Sequence, residues 1–141
     1  MALSRQLAVI TYETAEQLVA AAVAHARAGD WAIAVVVVDP SGHTIASARM
    51  DGLPAPIIEF AADKAYTAVT FRKPSADAAK EMIASKQQEM GALGRPRLCV
   101  WDGGVPIREK GALIGGLGIS GAPGRIDIEC GAKALAALGL D

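Results

Sequence analysis

Eight consecutive apolar residues, Trp31 to Val38, four of them valine, constrain this chain more than any other segment. A half-solvated strand alternates apolar and polar side chains, whereas an unbroken β-branched run marks a strand covered on both faces. The same run is far too short to span a bilayer, for which about 20 residues are needed. No membrane partner is expected. Asp39-Pro40-Ser41-Gly42 then fits a type I turn, and His43 to Met50 returns as the second arm of a hairpin.

Around this hairpin the 3.6-residue period recurs. Thr11 can cap a first helix, with Glu13 in its first turn, apolar positions from Ala15 to Ala26 and Gly29 at its end. A second helix runs from Ile57 to about Phe71, and Pro74 stops it. Ser75 is expected to cap a third helix reaching about Met90. Arg97 to Trp101, Val105 to Glu109 and Ala112 to Ser120 read as strands separated by Asp102-Gly103-Gly104 and Lys110-Gly111. Asp127 is expected to cap a last helix. The order α-β-β-α-α-β-β-β-α has short connections, which favour antiparallel pairing because parallel neighbours need a long crossover. With no repeat or linker, residues 1–141 read as a single domain.

Only 4% of residues are aromatic although 52% are apolar, so the core is built from Ala, Val, Leu and Ile. Small side chains allow helices to lie close on a sheet and subunits to lie close on each other. A net charge of -1 with no basic stripe argues against a nucleic-acid partner. Cys99 and Cys130 have no metal or redox spacing and read as free thiols. The N-terminus lacks the basic and apolar regions of a secretory signal, so a cytoplasmic protein is expected.

Lys64 is the most informative polar residue. It falls in the middle of its helix's apolar stripe, and the residues three and four positions away (Phe60, Ala61, Thr67, Ala68) offer no carboxylate. Burying a bare ammonium is costly. Lys64 must therefore snorkel outward or meet an anion from another element, a second subunit or a ligand. Asp127 and Glu129 either serve the last helix as cap and dipole partner or supply the missing counter-charge or a proton-transfer group. Arg49 and Asp51 at a strand end either grip a ligand carboxylate and a polar group or pair locally.

Gly116 to Gly121 contains a literal G-x-G-x-x-G, but it lies inside a strand near the chain's end, which is the wrong place for a dinucleotide fingerprint. Glycine in a strand more often marks close approach of a backbone or ligand. Ser120 is no nucleophile elbow, because Ala122 stands where that motif needs glycine. The two histidines cannot form a metal cluster. His43 and His25 remain as iron-ligand candidates only if a haem binds.

Taken together, Val35-Val36-Val37-Val38-Asp39 with Gly42, Arg49-Met50-Asp51-Gly52, Ala61 with Lys64-Ala65 and Thr67-Ala68, Gly103-Gly104-Val105-Pro106-Ile107, Gly111, Ile114 to Gly121 and Asp127 resemble the GlcG/HbpS-type haem-binding (haem-degrading) family, which includes the C-terminal domain of PduO. The resemblance implies a profilin-like α/β fold, three layers α/β/α with a central five-stranded, mostly antiparallel sheet, in dimers that build larger homo-oligomers. On it, Arg49, Met50, Lys64, Thr67, Gly103, Gly104, Pro106 and Ser120 are the expected ligand-binding positions. Members have been linked to haem, to corrinoid metabolism and to glycolate operons, and related proteins to lyase chemistry on hydroxylamino-aromatic acids.

Two functions follow. In the first, an oligomeric domain binds haem or a related tetrapyrrole, whose propionates meet Lys64 or Arg49. In the second, a cofactor-independent lyase takes a small carboxylated aromatic such as a hydroxylaminobenzoate. There Arg49 or Lys64 anchors the carboxylate, and Asp51, Asp127 or Glu129, with Lys64, serve as catalytic groups.

Overall fold

The computed structural model describes residues 1–141. Strand β1 (Ala34–Val38) is buried at every position, as its unbroken apolar run requires. Side chains alternate across it. Val35 and Val37 join Leu18 and Ala22 of α1 (Tyr12–Ala28) and Cys130 and Ala134 of α5 (Gly124–Ala137) in one core. Ala34, Val36 and Val38 face the other way, under Ala61, Ala65 and Val69 of α2 (Ile57–Phe71). The architecture is mixed α/β in three layers, with the sheet in the middle.

β1 is flanked by β2 (Thr44–Arg49) and β4 (Ala112–Ser120), and β3 (Gly104–Glu109) lies beyond β4. The order is β2-β1-β4-β3 and every pairing is antiparallel. On β4, Leu117 and Ile119 enter the larger core while Gly116 and Gly118 turn toward α2. A Cβ at Gly118 would stand 1.8 Å from the carbonyl oxygen of Ala61, and one at Gly104 2.3 Å from that of Lys64. The glycines let a helix backbone rest directly on the sheet. That is their role, rather than cradling a phosphate.

Four boundaries differ from the sequence expectation, each for a local reason. The sheet has four strands rather than five, because Arg97 to Trp101 does not join it. Instead the amide of Cys99 donates to the Thr67 hydroxyl (2.9 Å), which ties this segment to α2. The third helix divides into α3 (Ser75–Ile83) and α4 (Lys86–Ala92), because Ser85 adopts extended backbone and accepts from the amide of Gln88. Ser75 does not cap. Pro74 holds the N-cap, and the buried Ser75 hydroxyl donates to the Trp101 carbonyl (2.6 Å) and accepts from the Gly104 amide (2.9 Å). Asp127 does not cap either, since Pro123 holds that position and Asp127 lies in the first turn of α5. Thr11 caps α1 as expected. No helix is long and apolar enough to cross a membrane.

Candidate functional site

The stripe position of Lys64 places its ammonium inside the molecule, where the residue is 3% exposed. Because Gly104 and Gly118 admit α2 so close to the sheet, the side chain reaches the end of β4. Its amine donates to the carbonyl of Ile119 (2.8 Å), to Ser120 Oγ (3.1 Å) and to Asp127 Oδ2 (3.3 Å). All three ammonium hydrogens are therefore used. The anion comes from another element, and of the two acids offered for that role it is Asp127.

Asp127 is itself held from two sides. Oδ2 receives Lys64, and Oδ1 accepts from the amide of Ala122 at 3.2 Å. Burial pushes its carboxyl up to about 6, against the opposing pull of the Lys64 charge and the Ala122 amide. Here the cost of desolvation exceeds the benefit of pairing. Ser120 accepts from Lys64 and has no protein acceptor for its own hydrogen. Gly103 must be glycine at this point: its φ is +117°, and a Cβ would meet the Ile119 carbonyl oxygen at 2.3 Å and Lys64 Nζ at 3.3 Å.

These groups border a cleft of about 440 Å³. Its other walls are Val100, Trp101, Asp102, Ala122 and Gly124, which the sequence reading missed. They adjoin the Gly103-Gly104 and Ser120-Gly121 motifs, so adjacency was the available signal. Trp101 is 60% exposed and meets Phe60 edge-on at a centroid distance of 5.5 Å. The carboxylate of Asp102 sits over Gly124, where a Cβ would meet Oδ2 at 2.6 Å, and so complements the N-terminus of α5.

The remaining expected residues lie outside this cleft. Arg49 donates to the carbonyl of Leu53 (2.8 Å), the local-pairing alternative, and Asp51 is exposed beside it. Met50 Sδ accepts from the amide of Ile33. The Thr67 hydroxyl is consumed by Asp63 and Cys99, and Pro106 sits on β3 opposite Gly116. Glu129 pairs with His25 at 2.8 Å between α5 and α1. His43 stands on the hairpin, 3.6 Å from Asp39. Both cysteines are free; burial raises each thiol, that of Cys130 to about 11, so neither is a ready thiolate.

A second cleft, about 470 Å³, opens on the outer side of α2 between Tyr66, Phe71 and the segment from Arg95 to Leu98. No group of three or more His, Cys, Asp or Glu is arranged to hold a metal ion.

A glycine-tracked antiparallel sheet between two helical layers, with a lysine–aspartate pair closing one end, defines a small α/β protein with a polar cleft at the end of an inner strand. The chain belongs to the HbpS-like family: the family described as "Haem degrading protein HbpS-like" matches residues 10–136. It is 32% identical over 113 residues to Protein GlcG of Escherichia coli K12, covering 79% of this chain and 81% of that protein. The crystal structure of HbpS superposes with a TM-score of 0.87 at 32% identity, covering 97% of this chain and 95% of the other. The structure of a PduOC–haem complex superposes with a TM-score of 0.85 at 26% identity, covering 94% and 97%.

Proposed function

We propose that this chain binds haem or a related tetrapyrrole as a cytoplasmic homo-oligomer. The observation that supports this reading best is the likeness to the PduOC–haem complex over nearly the whole chain. Self-association accords with the exposure of several large apolar side chains, among them Ile83, Met90 and Leu93. Cytoplasmic residence accords with two unpaired thiols.

The Lys64 cleft does not fit the iron. Haem iron takes His, Cys, Met or Tyr, and none of these lines that cleft. Lys64 also has no hydrogen left for a propionate. On this reading a macrocycle is held elsewhere on the protein. Hemin titration followed by absorption tests the reading: a Soret band that shifts and saturates supports it, and a spectrum identical to free hemin overturns it. Light scattering checks the mass, which should be a multiple of the 14.5 kDa chain.

A second reading is favoured by one specific observation, the Asp127 carboxyl near 6 on the wall of the Lys64 cleft. A group near neutrality can both give and take a proton. On a hydroxylamino-aromatic acid, protonated Asp127 delivers its proton to the N–OH oxygen, and the Ser120 hydroxyl, whose hydrogen has no protein acceptor, donates a hydrogen bond to the same oxygen, so that water leaves. Water added to the ring and then to the resulting imine releases ammonia, one water being consumed overall. Lys64 fixes Asp127 and Ser120 through its hydrogen bonds to both. Purified protein should then release ammonia from 4-hydroxylaminobenzoate, and Ser120→Ala and Asp127→Asn should slow it at least about tenfold. Full activity in both variants would remove these residues from the reaction.

A further inference from the structure

The cleft on the outer side of α2 differs from the Lys64 cleft in chemistry. Phe71 and Leu98 give it apolar walls, and Arg95 and Arg97 bring two guanidinium groups to it. Tyr66 also lines it, and its ring is clamped. The Arg97 guanidinium stands 4.0 Å from the ring centroid, and the Gly42 backbone packs so near that a Cβ there would reach Tyr66 Cδ2 at 2.4 Å. Arg97 is fixed in turn by the Gly42 carbonyl (3.3 Å) and Asp63 (3.5 Å). The Tyr66 hydroxyl has no protein hydrogen-bond partner, and exposed Arg95 has no carboxylate partner.

We propose that this cleft is the tetrapyrrole site, with the Tyr66 oxygen as iron ligand and Arg95 as anchor for a macrocycle carboxylate. The proposal rests on the haem reading above and gives it a location. Tyrosine is an established class of haem ligand, and the Arg97 guanidinium 4.0 Å from the ring centroid holds this one in place. Arginine matches a carboxylate in shape as well as charge. Apolar walls with a few placed polar groups suit a flat, amphiphilic ligand, and about 470 Å³ lies within the usual range of small-molecule clefts.

The histidines are weaker candidates on the same grounds. The Nε2 of His25 is occupied by Glu129, in a cleft of only about 220 Å³. The side chain of His43 is 78% exposed and lines none of the larger clefts.

The test is hemin titration of the full chain with absorption and resonance Raman detection. The wild type should show a bound Soret band together with iron–phenolate vibrations. Tyr66→Phe should lose those vibrations and bind at least about tenfold more weakly, and Arg95→Glu should weaken binding by about tenfold while keeping them. His25→Ala and His43→Ala should leave both signals unchanged. Phenolate bands that survive in Tyr66→Phe, or a spectrum lost in either histidine variant, overturns the location while the haem reading stands. Wild-type protein that never binds hemin overturns the haem reading itself. Should Tyr66→Phe prove unfolded by circular dichroism, the exposed Arg95 decides: unaltered affinity in Arg95→Glu refutes the site.

Discussion

Replacing Asp127 by Asn should change how stability depends on pH, in a direction opposite to that of ordinary carboxylates. Asp127 is 2% exposed, and its carboxyl rises from 3.8 when unfolded to about 6 when folded. The folded state therefore holds its proton more tightly than the unfolded one. Between these two values folding takes up a proton, so stability falls as pH rises through the window. The interval, at about 1.4 kcal/mol per pH unit, is worth about 3 kcal/mol. Asn cannot ionise and lacks this dependence. It also accepts from only one of the two donors, Lys64 and the Ala122 amide, that the carboxylate serves. That loss is the same at every pH and cancels in the comparison. Urea unfolding of both proteins between about pH 3.5 and about pH 7.5 should therefore show Asp127→Asn gaining about 3 kcal/mol on the wild type as pH rises. A flat difference, or one with the wild type gaining, would mean that Lys64 outweighs burial and that the carboxyl is not poised near neutrality.

Gly118→Ala should destabilise by at least about 3 kcal/mol in thermal unfolding, because its Cβ meets an immovable backbone oxygen. Gly91→Ala in α4 meets nothing and should range from neutral to about 1 kcal/mol stabilising. Ser75→Ala leaves the Gly104 amide without its acceptor and should cost about 2 kcal/mol by urea unfolding. Thr67→Val frees the Cys99 amide, so limited proteolysis near residues 95–101 should accelerate at a stability cost of about 1 kcal/mol.

The layered fold was legible because its strongest signals are local. The valine run of β1 demanded cover on both faces, and Thr11 carried an ordinary cap. Lys64 was legible as a charge without a partner on its own helix. Its partner was not fixed by the sequence, since Asp127 and Glu129 lie two residues apart and only the seating of α5 selects between them. Ser75 and Asp127 were misread as caps for a shared reason. A preceding proline holds each N-cap, which frees a capping-type side chain for a tertiary bond. Arg97 to Trp101 has the composition of a strand, yet one hydroxyl from α2 captures its backbone. The cleft walls Trp101, Asp102 and Ala122 carry no pattern of their own and became visible only once the chain ends around Gly103 and Ser120 were brought together.

The contact between α2 and β4 limits how this protein can be altered over time. Where main chain abuts main chain, no rotamer is available to absorb a change, so the ammonium at position 64 has essentially one address relative to the last helix. Natural variation in ligand preference would then be confined to the side chains encircling the opening, with the machinery beneath inherited unchanged.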